Sequence, residues 1–563
     1  MKRFRSAGRT GLVLVLLMVA ATLCVASGQK PPAPSAPSGQ PGAALSWQKD
    51  TSPFQFDLYF YGAWGTFYPW KGSYVEKVIE QKTGVHPNII VPTGDEKEYL
   101  SVIVASGKLP DAMVLEWYAD MTKKIIASGK IYPIKDLTDK YAPEFWDQIA
   151  QDVKTYHNQA DGKLYYLPSF MASKDDYDRS LEKQTFRPFF IQKGIYEALG
   201  KPSVDTPEKL LGMLKTIKQK YPGKKVITIE PPIDVNQWGL TGCFTLSYLL
   251  GAFAPETYGC GYYLEGNTIK FCFESKGMVE SIRFLNTLVR EGLMSVDRVT
   301  ARQETFGDEV NAAIFAVTTR YPIDIYKQHN PKIMQVTGDE KNTYIPLEYL
   351  HVGGKDPQYA GSRGTGWVGS MVTKDAKNPG RIIRYFEYSW SEEGQMDNLF
   401  GKEGETYTVV NGIPKYTPAI LAELDKTGDA FWDKYGFERR LLMWRSVPAT
   451  YQKLAIAPQG YTDYLISTGK YAKDIYELGI GGPDAGSSSI EPAPSSKEGI
   501  QLQKIKDVWG KAIAQMTIAT DDATFEGIYT KAMDEIRANG LEDVRKVVWA
   551  NHMDDINKKL GKK

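Results

Sequence analysis

The chain has little of what most metal and covalent chemistry needs. It carries 4 cysteines and 5 histidines in 563 residues. The histidines are scattered, no HExxH occurs, and no CxxC or Cys/His cluster has zinc spacing, so no metal site is expected. "GWVGSMVT" (366–373) lacks the final glycine of a G-x-S-x-G elbow, which removes the hydrolase nucleophile turn. "SKDDYDRS" (173–180) groups Asp175, Asp176 and Asp178, but a calcium loop needs a glycine at its sixth position and a glutamate at its twelfth. It is expected to be a solvated turn. Charge of either sign is not in excess, with 68 basic against 67 acidic residues. Removing the basic leader, with Lys2, Arg3, Arg5 and Arg9, leaves 64 against 67, a poor balance for binding nucleic acid through phosphates.

Long apolar runs are also missing, with one exception near the start. Gly11–Ala20 comes after the basic residues and is too short for a comfortable membrane span, so residues 1–27 are expected to be a secretory signal. Two processing routes stay open: cleavage after the small residues Val25-Ala-Ser27, or lipidation of Cys24 as the first mature residue. Residues 28–50, with "PPAPSAPSGQPG", form a Pro/Ser/Gly tether that cannot bury a core.

Beyond the tether, strands and helices alternate. Phe54–Tyr61 has a strand pattern, Ser73-x-x-Glu76 is a capping box, and Thr83-Gly84 closes the helix it opens. "NIIV" and "DAMVLEW" are further strands with a helix between them, which implies a parallel sheet. A second α/β stretch begins at "RPFFIQKGIYEALG", with helix starts at Thr206-Pro207 and Asn378-Pro379 and a buried strand "AAIFAV". The last 60 or so residues are mainly helical. Cys260 and Cys272 flank a hairpin with its turn at Gly266-Asn267; they are either a cross-strand disulfide or two buried thiols, and Cys243 stays unpaired. The length calls for two lobes with separate cores.

Five segments in this order, "ASGKLPDAMVLEW", "DGKLYYLPSF", "SIRFLNTLVREGLM", "NPGRIIRYFEYSWSEEGQ" and "GKEGETYTVVNGIPKYT", carry a resemblance. The mature chain resembles an extracellular solute-binding protein of an ABC importer, of the large LplA-like "family 1" lipoprotein type often linked to oligosaccharide uptake. The resemblance implies an α/β fold of two periplasmic-binding-protein-like lobes (type II), each a sheet flanked by helices, with a multi-strand hinge. It implies lobe one at 51–167 and 368–450, and lobe two at 168–367 with a helical part at 451–563. Crossings are expected near 168, within "GTGWVGSMV" (364–372) and near 440–455.

Open α/β sheets bind ligands at the C-terminal ends of their strands. "GAWGTFYPW" (62–70) comes after the first strand and "EWYAD" (116–120) after the third, so both open at one edge of lobe one. Trp64, Tyr68, Trp117 and Tyr118 are candidate stacking platforms for sugar rings, with Glu116 and Asp120 as carboxylates that accept from hydroxyls. Phe67 and Trp70 are expected to cover the core instead. Phe170 and Trp367 at the crossings, Arg320 and Tyr321 after "AAIFAV", Trp238, and Trp444 with Arg445 complete the ligand-binding set. The function implied is a non-catalytic, monomeric receptor outside the cytoplasmic membrane that needs no cofactor. It binds an oligosaccharide or other small solute and delivers it to a permease. The alternatives are a secreted glycoside hydrolase, which needs two carboxylates across the bond, and a sensing receptor without a transporter.

Overall fold

The structure is a computed structural model that describes residues 45–61, 70–92, 95–169, 171–179, 188–301, 303–361, 364–410, 412–427, 429–437, 443, 445, 468–473 and 490–562. The leader, Cys24 and most of the tether lie outside these residues.

The strands that matter for the site are β1 (Phe54–Phe60), β2 (Val85–Ile90), β3 (Ala112–Glu116), β4 (Leu167–Pro168), β5 (Phe189–Gln192), β6 (Lys225–Ile227), the hairpin β7 (Tyr262–Glu265) and β8 (Thr268–Phe271), β9 (Phe315–Thr319), β10 (Tyr344–Pro346), β11 (Tyr359–Ala360) and β12 (Val368–Val372). One sheet has the order β2-β1-β3-β12-β4 and another the order β10-β5-β9-β6. In the first, β1 runs parallel to β2 and β3, as the strand–helix alternation implies, whereas β12 returns antiparallel against both β3 and β4. In the second, β6 is parallel to β9, and β5 runs against it.

Local chemistry explains the elements. Ser73 caps helix Tyr74–Thr83, with Glu76 reaching back to the cap nitrogen, and Gly84 ends it at φ +68°. That glycine has no substitute, because a Cβ there would sit 2.1 Å from the Thr51 carbonyl oxygen. Thr206 and Asn378 each cap a helix whose first residue is proline, and Ile382, Ile383 and Phe386 of the second are fully buried. Along β1 the two-residue period sends Phe56, Leu58 and Phe60 into one cluster and Tyr59 into the other, on opposite faces of the sheet. β3 lies in the middle of its sheet and is buried on both faces.

Two separate bodies of core result. The first takes residues from Trp47 to Met171 and from Val368 to Met443. The second takes residues from Phe189 to Tyr359, then Tyr471 and Ile490 to Val548, including Trp509 on helix Lys497–Thr517. Each lobe is thus built from stretches that are discontinuous in sequence.

Three expectations are corrected, and the choice left open for Cys260 and Cys272 is decided. The tether ends before residue 50, because Ser46–Lys49 forms a 3-10 turn whose Trp47 ring packs on Tyr388 in the first core while its backbone N–H donates to Glu387 (2.8 Å). The first lobe runs past 167, because Pro168 pairs with Gly369 and Met171 is in the first core. The aspartate cluster is not a solvated turn: Lys174–Arg179 is a short helix, and Asp176 is buried. Cys260 and Cys272, like Cys243, are buried thiols with no disulfide between them. The hairpin register explains this: Tyr262 faces Phe271, and the Cys272 N–H donates to the Gly261 carbonyl (2.8 Å), so Cys260 is one residue out of step. The two sulfurs donate to different carbonyls, those of Leu240 and Tyr258.

Candidate functional site

Three stretches of chain lie side by side where the lobes meet. Met171 bridges Thr365 on one side and Arg445 on the other. Backbone bonds lace the first two: Ser169 N–H to Val368 O (2.7 Å), Trp367 N–H to Ser169 O (2.9 Å) and Ala172 N–H to Gly364 O (3.0 Å). Gly366 sits at φ +77°, where a Cβ would be 2.5 Å from the Ser169 oxygen, so only glycine lets the strands approach this closely. The third stretch is held by an ion pair, Arg445 to the buried Asp176 (3.2 Å), and by the Arg445 N–H donating to Gln395.

The C-terminal end of β3 is locked into this ribbon. The Trp117 indole donates to the Gly366 carbonyl (3.1 Å), and the Trp367 indole donates to the Glu116 carboxylate (3.0 Å), which also accepts from the Tyr118 hydroxyl (3.1 Å). Burial, with Glu116 next in importance, pushes the Tyr118 hydroxyl far up. The Trp117 ring is edge-on to Tyr118, Tyr156 and His157. His157 is fully buried, and that burial, with Lys559 beside it, lowers its pKa to about 3 against an opposing bond to the Thr365 backbone. Asp120 opens helix Asp120–Ala127 at the same mouth, with Lys123 4.0 Å away.

On the second lobe, β6 and β9 end at the facing edge. Arg320, just after β9, is clamped between Glu230 (2.5 Å) and Asp324 (3.3 Å), and its Nε–H is buried without an acceptor among the described residues. Glu230 is itself 3% exposed. Trp238 packs edge-on to Phe244 and against the second core. His329, behind Arg320, shares a hydrogen bond with Asn311 and has its pKa lowered to about 4 by burial and by Arg320.

The lobes touch elsewhere too among the described residues. Lys327 lies 3.9 Å from the centre of the Trp432 ring, and Tyr321 packs against the first-lobe core. Helix Leu541–Lys559, from the second lobe, reaches the first: Asp555 accepts from the Tyr156 hydroxyl (2.6 Å), and Lys559 covers the Tyr156 ring.

Among the sequence-derived candidates, Glu116, Trp117, Tyr118 and Trp367 come together in one hydrogen-bonded knot, with Asp120 at its mouth. Arg320 and Tyr321 stand at the opposite edge, Trp238 flanks that edge, and Arg445 belongs to the crossing. Trp64, Tyr68, Phe170 and Trp444 lie outside the described residues. Trp70 covers its own lobe, donating to Glu80. Sequence reasoning missed Tyr156, His157, Glu230, Lys327, Trp432 and Asp555. Only Glu230 had a signal, since Pro231-Pro232 marks the end of a strand. A groove of about 450 Å³ edged by Lys270, Glu274, Tyr529 and Arg537 belongs to the second lobe alone, not to the space between lobes. Among the described residues no helix is long and apolar enough to cross a membrane, and no group of three or more metal-type ligands occurs.

No family model matches the chain. It is similar to the fructooligosaccharide ABC transporter substrate-binding protein FusA of Streptococcus pneumoniae, at 25% identity over 345 residues, or 58% of this chain and 59% of FusA. The match therefore spans about three fifths of that relative. In structure it is similar to the alginate-binding protein AlgQ2, with a TM-score of 0.64, 17% identity and coverage of 89% of this chain and 98% of AlgQ2. It is also similar to an extracellular solute-binding protein from Bifidobacterium longum subsp. infantis, with a TM-score of 0.63, 15% identity and coverage of 90% and 98%. FusA in complex with kestose has a TM-score of 0.61 at 15% identity, covering 89% and 99%. The fold is that of a two-lobed, type II substrate-binding protein.

Proposed function

We propose that the chain is a receptor outside the cytoplasmic membrane that captures an oligosaccharide between its lobes and hands it to an ABC permease. The observation that carries this is the ribbon of three crossings at Thr365, Met171 and Arg445, with the ends of β1 and β3 on one side and of β6 and β9 on the other. Such an arrangement bends, and a guest that touches both edges favours closure by its differential contacts. The likeness to FusA supports the sugar class, and the likeness to AlgQ2 supports the two-lobed fold. Trp64 and Tyr68 are the proposed stacking platforms, with Trp117 and Tyr118 shared between hinge and guest. Phe170, Trp238, Trp367 and Trp444 are rim contacts, Tyr321 is a closure contact, and Glu116, Asp120 and Arg320 are the polar groups. Arg445 stabilises the crossing beside them. Cys24 is the proposed lipid anchor, and the receptor acts as a monomer without turnover.

The test is calorimetric titration of the purified protein with an oligosaccharide panel, followed by chromatography of the recovered ligand. Saturable binding with the sugar recovered intact supports the receptor; shortened product means a hydrolase. Trp64→Ala is expected to weaken binding about tenfold or more without lowering Tm, since stacking contributes about 1–2 kcal/mol. Unchanged affinity removes Trp64 from the site.

A further inference from the structure

We infer that the solute is uncharged: a neutral oligosaccharide, not one built of uronic or other acidic sugars. This rests on the receptor reading above and concerns the chemistry of the same site. The likeness to known proteins leaves the point open, since it includes both a fructooligosaccharide receptor and an alginate-binding protein.

An acidic glycan brings one carboxylate per charged sugar, and each must meet a cation to leave water. Guanidinium forks are the usual partners because they offer two parallel N–H donors to a carboxylate. Four described cations stand at the lobe junction, Lys559 over the Tyr156 ring and three others, and each is engaged by the protein itself. Arg320 holds Glu230 at 2.5 Å and Asp324 at 3.3 Å. Arg445 holds the buried Asp176 at 3.2 Å. Lys327 lies over the Trp432 ring at 3.9 Å from its centre.

The facing mouth of the first lobe adds negative charge. Glu116 is held there by the indole of Trp367 and the hydroxyl of Tyr118, neither of which carries a compensating charge. Among the described residues Asp120 is met by Lys123, at the 4.0 Å limit of an ion pair and largely exposed. The described part of the junction is therefore acidic in balance, and a polyanion would enter against its field.

A hydroxyl fits the same groups well. It is both donor and acceptor, so it can give its proton to the remaining lone pairs of Glu116. Arg320, whose terminal nitrogens serve Glu230 and Asp324, brings no charge that is not already balanced.

The experiment titrates the purified protein with two length-matched sets. One is neutral (fructo-, gluco-, manno- and xylo-oligosaccharides), and the other is acidic (oligogalacturonate and oligoalginate). A neutral sugar is expected to bind at least about thirtyfold tighter than any acidic one, with an affinity that is flat from about 50 to 500 mM NaCl. If an acidic set binds within about threefold of the best neutral sugar, or affinity falls steeply with salt, the charge inference is overturned while the receptor stands. If neither set binds, the receptor reading falls and this inference with it.

Discussion

Lowering the pH from 7 to about 4.5 is expected to remove about 5 kcal/mol of stability through two buried histidines alone. His157 is enclosed by Trp117, Tyr156 and Tyr166, and burial, helped by Lys559, holds its pKa at about 3. His329 is held at about 4, by burial and by Arg320. Both lie below the unfolded value of about 6.5, so the unfolded chain takes up protons that the folded chain refuses. The stabilisation is complete above pH 6.5 and is lost as pH falls through that value, until each folded pKa is reached. At pH 4.5 the gap is about two units per histidine, or about 2.7 kcal/mol each. Urea unfolding at a series of pH values measures this, and His157→Phe isolates one of the two contributions. The phenyl ring keeps the aromatic contacts but loses the bonds to the Tyr166 hydroxyl and the Thr365 backbone, at a cost of about 1–3 kcal/mol at pH 7. Carboxylates titrate alike in both proteins and cancel in the difference. The variant is expected to lose about 2.5 kcal/mol less than the wild type between pH 7 and 4.5. If the two stability curves run parallel, His157 is not buried as a neutral ring and the packing described around Trp117 is wrong.

Arg445→Met removes the guanidinium that meets the buried Asp176 carboxylate and is expected to lower stability by about 3–5 kcal/mol in urea unfolding, most of it recovered when Asp176→Leu is added. Gly84→Ala forces a side chain into φ +68° and against the Thr51 carbonyl; a loss of about 2 kcal/mol or more is expected by thermal unfolding. A double-mutant cycle on Tyr156→Phe and Asp555→Asn is expected to give a coupling of about 1–2 kcal/mol, and a coupling near zero would mean that the last helix does not dock on the first lobe.

The sequence carried what short-range physics decides. The Ser73-x-x-Glu76 box, the Gly84 stop and the proline-led helices at Pro207 and Pro379 all appear where their residues placed them. Contacts between distant parts of the chain were not legible. Nothing near Trp47 announces Glu387 as its acceptor, and nothing in β12 says that it will slip between β3 and β4. The misjudged aspartates make the same point. Asp176 has the composition of a surface turn, and its burial is offset by Arg445, a residue remote in sequence. Of the site, the residues at the ends of β3 and β9 could be read from strand order. Their partners Tyr156, Glu230 and Lys327 belong to elements that reach the junction only once both lobes have formed.

The interleaving of the lobes also bears on when the chain can begin to fold. The strand that fills the gap between β3 and β4 is made only after the whole first stretch of the other lobe, and that lobe waits for Trp509 and its neighbours, which are made later still. Neither interior can be finished on a partly emerged polypeptide. Premature globules are thereby avoided, and the thread stays pliable until its distant halves can lock together.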